Sequence, residues 1–429
     1  MTAPILFVGD IHLGRVPRRL ANGTGLPEAQ LGPAEAFRRT VDAAIAEGVQ
    51  AVVLAGDVVD QDQDRFAAWS HLYSGLKRLT EAGIRAIGVA GNHDHLALPR
   101  LAERLPAFRL LGAGGTWECV HLDGVDLLGW SFPSRHHRES PLAAPGLSAA
   151  QEHRRPGHIG LGVLHADLNA QRSPYAPVDG ASLRALGLDG CFLGHIHSPG
   201  DLSGSQPVGY LGSLVGLDRS ERGPRGPWLI RPAEGGGLDT RQLALGPAHW
   251  RSLDVDLTGI PRGADAVDRI VLCVEQTIRA AADADRWWRD GPFSAMGVTI
   301  RLMGRTEATG AAKQWASTDD IEQMRFFIHD RPCAVVSVRN HTRPAVDLRA
   351  LSGERTPAGR VASLLQGLET DGSSAVPETI STALRAVDLQ GWSTDEERHP
   401  PPDPTEALRT AAWGILDQLL EQRRAAEVS

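Results

Sequence analysis

The sequence predicts a layered α/β domain, followed by a small α+β unit and a C-terminal helical segment. Apolar runs of strand length alternate with helically spaced stretches up to about residue 200, the pattern of strands covered by helices. A new alternation begins at Trp250, with Leu253, Val255 and Leu257 on one face. Five early strands also end where a metal-binding side chain begins. Ligand sites in α/β sheets lie just beyond the carboxyl ends of strands, so all five would feed one rim.

The first strand, Ile5-Leu6-Phe7-Val8, runs into Gly9-Asp10-Ile11-His12. Residues 15–31 are rich in Arg, Gly and Pro and read as a loop over the rim. Residues 33–47 gather Ala36, Phe37, Val41 and Ala44 on one side, which predicts a helix. Val52-Val53-Leu54-Ala55 stops at Gly56-Asp57-Val58-Val59-Asp60, and a second helix is expected over 64–82. Ile84 to Ala90 leads into Gly91-Asn92-His93-Asp94, a short helix near 98–105 and paired strands at 117–120 and 125–130. Residues 134–156 have no periodicity and read as a mobile loop. The last two strands of the set stop at His165 and at Gly194-His195-Ile196-His197.

Beyond these, 208–245 read as strand and turn. A helix over 265–283, a strand at 298–302, a helix near 319–328 and a strand at 335–338 make up the α+β unit. Residues 343–359 and 369–377 read as linker, and 405–424 form an amphipathic helix with Leu408, Ala412, Ile415, Leu416 and Leu419 apolar. The expected division is 1–247, 248–345 and 346–429. The C-terminal helix would either pack on its own chain or dock on a partner.

Bulk properties narrow the class. A chain of 429 residues has room for two or three domains. No apolar run approaches the roughly 20 residues that cross a bilayer, and nothing near the start resembles a signal peptide. The four cysteines are scattered without a CxxC pair, which fits a reducing cytoplasm and argues against both a disulfide framework and a thiolate zinc site. The net charge of −8 argues against a generic nucleic-acid binder. The objection is limited, since acidic side chains that hold metal ions regain positive charge.

Carboxylate, amide oxygen and imidazole are the donors that hard and borderline divalent ions take. The strand ends supply seven: Asp10, His12, Asp57, Asn92, His165, His195 and His197. They divide into two sets if one carboxylate is shared. Asp57 is the expected bridge, with Asp10, His12 and His197 on one ion and Asn92, His165 and His195 on the other. His195 and His197 can face the same way only if the chain bends locally, and Gly194 offers such a bend. Taken singly each motif is ambiguous; Asn92-His93-Asp94, for example, is also a good helix N-cap.

Asp10-Ile11-His12, Gly56-Asp57-Val58-Val59-Asp60, Gly91-Asn92-His93-Asp94, His165 and Gly194-His195-Ile196-His197 together resemble the motif string of the calcineurin-like metallophosphoesterases. The resemblance covers about the first 200 residues. It implies a β-sandwich flanked by helices, two divalent ions (commonly Mn2+, with Mg2+, Fe2+ or Zn2+ as alternatives), and phosphate-ester hydrolysis by a metal-activated water. Ser173-Pro174-Tyr175-Ala176-Pro177, Tyr210-Leu211-Gly212-Ser213 and Gly223-Pro224-Arg225-Gly226 resemble the SbcD and YhaO branch of DNA-repair exonucleases. That branch implies DNA as substrate, a capping domain that positions it, and an SMC-like ATPase partner; a homodimer is left open, as is a role in repair or defence.

On that reading His93, next to the ligand Asn92, faces substrate and could protonate the leaving oxygen. Asp60 could hold the His93 tautomer, or serve only as a helix cap. Arg15, Arg172 and Tyr175 are candidates to touch phosphate or a stacked base. Two other readings are a phosphoesterase acting on a small nucleotide or phosphoprotein, and a non-catalytic DNA-binding scaffold. Asp60 stands where archaeal and eukaryotic relatives carry histidine.

Overall fold

In the computed structural model, residues 2–170, 172–233, 235–317, 324–370 and 403–428 are described. Two mixed sheets stack face to face. The first has the strand order β13-β12-β1-β2-β3-β4, the second β11-β10-β7-β6-β5. Their strands are β1 (Ile5–Val8), β2 (Ala51–Ala55), β3 (Arg85–Val89), β4 (Phe108–Leu110), β5 (Trp117–His121), β6 (Val125–Trp130) and β7 (Ile159–His165). After the two-residue pair β8 (Asp167–Leu168) and β9 (Pro177–Val178) come β10 (Gly190–Gly194), β11 (Val208–Tyr210), β12 (Trp228–Pro232) and β13 (Leu238–Gln242).

Alternation along each strand explains the layers. Ile5, Phe7, Val53 and Ile87 meet Leu127, Leu161, Val163 and Phe192 between the sheets. Leu6, Val8, Val52 and Leu54 point the other way, onto Phe37 and Val41 of the helix Pro33–Ala46 and Leu72 and Leu76 of the helix Arg65–Glu81. Trp130, Leu164, Cys191 and Leu193 make the outer layer of the second sheet. Cys191 is buried and its thiol is pushed up to about 12 by desolvation, so it is an inert core group. β1 to β4 run parallel, as do β6, β7, β10 and β11, so the ends of β1, β2, β3, β7 and β10 come to one rim.

A four-stranded sheet follows in the order β14-β15-β18-β17, from β14 (Ala248–Asp256), β15 (Ala295–Met303), β17 (Arg325–Ile328) and β18 (Arg331–Asn340). The helix Ala266–Ala284 belongs to this α+β part; Ile270, Val274, Ile278 and Ala282 are buried at a four-residue spacing along it. These elements belong to one compact unit with the two stacked sheets. Three expectations change here. Within 15–31 the chain forms the helix Arg18–Thr24, which packs on β15 and β18 and is capped by Gly25 in the left-handed region. Pro17 and the internal Asn22-Gly23 hide it from propensity, and tertiary contact stabilises it instead. Residues 134–156 hold the helix Leu147–Glu152, whose Ala150 is buried. Arg325–Ile328 is strand rather than helix, with Phe326 and Ile328 buried on alternate positions; residues 318–323 lie outside the described set.

The second unit comprises Thr258–Arg262, Arg305–Thr309 and the described residues from Arg343 onward. β16 (Arg305–Thr306) pairs with Arg343–Pro344, and the helices Leu348–Ser352, Pro357–Thr370 and Pro404–Val428 share a core of Leu351, Ala362, Leu365, Ala412 and Leu416. The Arg305 guanidinium lies 2.8 Å from Asp417 and 3.7 Å over the Trp413 ring. Part of the C-terminal helix's apolar stripe is therefore covered by its own chain, while Ile415 is exposed. Part of the expected 343–359 linker is the helix Leu348–Ser352, and most of 369–377 lies outside the described residues. Among the described residues no helix is long and apolar enough to cross a membrane.

Candidate metal centre

The rim where β1, β2, β3, β7 and β10 end carries backbone that L-residues rarely adopt. Asp10 (φ +30°), His12 (+54°), Asp57 (+49°) and His195 (+105°) all sit in the left-handed region. Such conformations each cost about 1–3 kcal/mol and persist where surroundings enforce them for a task. The bend in the His-x-His turn is thus carried by His195 itself. Gly194 serves close approach instead: a Cβ there would overlap the Ala55 carbonyl oxygen and lie 2.7 Å from His165 Nδ1. Gly91 does the same on the other side, where a Cβ would overlap the Asp57 carboxylate.

The expected donors converge. Ligating atoms of Asp10, His12 and His197 lie within 4.8 Å of one another, and so do those of Asp10, Asp57 and His165. Asp57 Oδ2 is 3.3 Å from His165 Nε2 and 3.8 Å from His12 Nε2, between the two groups. Asn92 Oδ1 is 3.0 Å from His165 Nε2. The His195 ring stands 5.2 Å from that of His165, and the His197 ring 4.8 Å from that of His12, so the two turn histidines serve opposite halves. Asp10 belongs to both groups, and its two oxygens accept the His195 main-chain N–H at 3.0 and 3.2 Å.

Hydrogen bonds fix which nitrogen of each imidazole faces inward. His12 Nδ1 lies 2.8 Å from Asp60 Oδ1, His197 Nδ1 2.8 Å from Glu221 Oε1, and His165 Nδ1 3.0 Å from the Ala55 carbonyl. A carboxylate or carbonyl only accepts, so each Nδ1 carries the proton and each neutral ring turns an Nε2 lone pair to the centre. The Nε2 atoms of His12 and His197 then face each other at 3.0 Å. Two lone pairs at that distance repel unless a proton or a cation lies between them. His165 Nε2 faces two further acceptors, Asn92 Oδ1 and Asp57 Oδ2. This donor set fits a pair of divalent ions.

Without ions, protons take their place. Burial alone would lower the pKa of His165, but the Asp57 charge and hydrogen bond outweigh it and raise it to about 9. His12 is also raised, with burial opposed by the Asp60 hydrogen bond and the Asp57 charge. Burial followed by the His165 charge lowers His195 to about 4, which keeps it neutral. A folded-state pKa of about 9 for His165 exceeds the ordinary 6.5, so its proton stabilises the folded, metal-free chain. That contribution is full below about pH 6.5 and is lost as pH rises through about 9. The melting temperature of the metal-free protein should fall across this window, whereas the manganese-loaded protein should lack the decline and bind manganese more tightly as pH rises. Calorimetry at pH 6, 7.5 and 9 checks this; parallel pH profiles with and without metal would contradict it.

His93 is half-buried beside the centre, edge-on to His12 at 5.1 Å. Its Nδ1 lies 2.8 Å from the main-chain oxygen of Asp60, so that carbonyl fixes its tautomer. The Asp60 carboxylate, expected to do this, is turned to His12 instead. Arg15 Nε also lies 3.8 Å from Asp60 Oδ1, and Gln61 Nε2 donates to Oδ2 at 3.5 Å. Arg15 also lines a cavity of about 470 Å³ that opens beside Leu13 and Gly14. Tyr175 packs its ring 4.9 Å from that of His195. Arg172 is exposed, and no described contact ties it to the cluster.

Two supporting residues escaped sequence reasoning. Asp94 is fully buried and accepts from the main-chain N–H groups of Gly91, Val58 and Val59 at 2.7, 2.7 and 3.3 Å, locking the β2 and β3 turns together. Its place in Gly-Asn-His-Asp was the available signal. Glu221 had none, since it lies in a polar loop 24 residues past His197.

Residues 3–199 match the model of the family described as calcineurin-like phosphoesterase, an interval that contains every strand-end motif. The chain is 30% identical over 246 residues to the uncharacterized metallophosphoesterase YhaO of Bacillus subtilis, covering 52% of this chain and 54% of that protein. It is 27% identical over 272 residues to the DNA double-strand break repair protein Mre11 of Haloferax volcanii, covering 59% and 55%. The chain thus spans about half the length of these relatives. Among solved structures, a dimetal phosphatase from Danio rerio aligns with a TM-score of 0.37 at 13% identity, over 56% of this chain and 99% of that one.

Proposed function

We infer that this chain, which carries a calcineurin-like metallophosphoesterase domain over residues 3–199, is a two-metal phosphodiesterase that cleaves DNA. The observation that carries the two-metal part is the inward-facing set of Nε2 lone pairs and carboxylate oxygens, with each Nδ1 of His12, His165 and His197 already engaged. Asp10, His12 and His197 would hold one ion; Asn92, His165 and His195 the other; Asp57, with Asp10 beside it, would touch both. Bound there, the ions would supply an activated water and neutralise charge on the phosphoryl group.

His93 reaches the space in front of these ligands. With Nδ1 donating to the Asp60 carbonyl, its Nε2 is free to contact a phosphoryl or leaving oxygen, and as imidazolium it can give that oxygen a proton. Arg15 and Tyr175 flank the centre and are suited to hold the strand on either side. Similarity to a relative named as a DNA double-strand break repair protein supports a DNA substrate, and repair as the setting. Manganese is the proposed ion. The four-stranded sheet following residue 247 is proposed as the capping part, and an SMC-like ATPase as a partner at the C-terminal helices.

Purified protein with manganese, assayed in parallel on labelled duplex DNA, single strands and bis-p-nitrophenyl phosphate, tests the substrate. Cleavage of DNA is expected. Hydrolysis of the small ester with all DNA intact, even with a candidate ATPase added, would favour a small nucleotide or phosphoprotein substrate.

A further inference from the structure

Glu221 holds a place that the hydrolytic chemistry itself does not explain. It is 9% exposed, and both of its oxygens are used. Oε1 meets His197 Nδ1 at 2.8 Å; Oε2 accepts from Ser213 Oγ and the Leu217 main-chain N–H, each at 3.1 Å. The main chain of His197 is held separately, because its carbonyl accepts from the Ser213 N–H at 2.9 Å and from the buried Arg225 guanidinium. The segment 211–225 therefore grips the His-x-His turn twice, once by backbone and once by ring.

We propose that Glu221 is a positioning residue, which sets the Nδ1–H tautomer of His197 and so presents Nε2 to the ion shared with Asp10 and His12. The inference rests on the two-metal reading above. A carboxylate behind a ligating imidazole orients the ring and raises its basicity, and losing such a partner typically costs about 10–100-fold in metal affinity. Glutamine is a sharp probe of this role. Its NH2 must face either the Leu217 N–H, donor against donor, or His197 Nδ1, where it forces the proton to Nε2 and blocks the ion.

The test uses the full chain, stripped of metal and titrated with manganese by calorimetry. Wild type should bind two ions. In Glu221→Gln, one ion should bind about 10–100-fold more weakly while the other keeps its affinity. Long-range proton–nitrogen NMR of the metal-free variant should show a population of His197 protonated at Nε2 in place of Nδ1, from the glutamine orientation that turns NH2 to the ring, a signature that a merely structural role would not move. Activity should recover at saturating manganese with KM unchanged. If Glu221→Gln does not fold, Glu221→Asp, which draws the charge back by one methylene, should show the same weakening of one ion. A folded variant that binds both ions like wild type, with His197 still protonated at Nδ1, would overturn the role of Glu221 alone. Wild-type protein that binds no ion would instead overturn the two-metal reading.

Discussion

Asp57→Ala is expected to lose bound metal and about 10³–10⁴-fold of phosphodiester turnover. The magnitude follows from the several kcal/mol that metal-centred charge stabilisation supplies, at about 1.4 kcal/mol per tenfold. Geometry makes Asp57 the costliest single deletion. Its Oδ2 lies 3.3 Å from His165 Nε2 and 3.8 Å from His12 Nε2, so on the proposed two-metal reading both halves of the centre would lose a ligand at once. The same deletion removes the charge that holds the His165 proton. The metal-free variant should therefore show a weaker fall in melting temperature above pH 6.5 than the metal-free wild type. Elemental analysis and turnover of bis-p-nitrophenyl phosphate are the readouts. A variant that keeps two ions would remove Asp57 from the bridge.

His93→Ala should behave in the opposite way, keeping both ions while turnover drops about 10²–10⁴-fold, the range for a lost acid–base group. Metal should stay because the link from residue 93 to the centre is main-chain: its N–H donates to Asp57 Oδ1 at 2.9 Å whatever the side chain. The ring's hydrogen bond goes to the Asp60 main-chain carbonyl and its contact with His12 is edge-on packing, so its removal takes no hydrogen bond from an expected ligand. Asp60→Asn separates the two roles, because its carboxylate supports His12 while its carbonyl supports His93. That change should weaken metal binding and leave the His93 contribution in place once metal is saturating. Unchanged turnover in His93→Ala would take His93 out of the chemistry.

Much of this arrangement is legible in the residues. An apolar strand that stops at a donor is a local pattern, and five of them in one α/β alternation point to a common rim before any contact is known. Which atom of each residue does what is not local. Asp60 sits three positions past Asp57, close enough to suggest a partner for His93, yet the turn sends its side chain to His12 and only its carbonyl to His93. Glu221 reaches His197 across a loop whose own sequence shows no period, and nothing short of the folded chain brings them together. The helix Arg18–Thr24 was hidden for a related reason. Its internal Gly23 lowers helix propensity, and what stabilises it is packing against β18, over 300 residues away.

On the proposed reading, donors from five strand ends surround two adjacent cations. Anomalous diffraction from crystals grown with manganese measures this directly. Two peaks should appear roughly 3.5–4 Å apart, one among Asp10, His12 and His197 and the other among Asn92, His165 and His195, with Asp57 reaching both. A single peak, or peaks away from these side chains, would contradict the account.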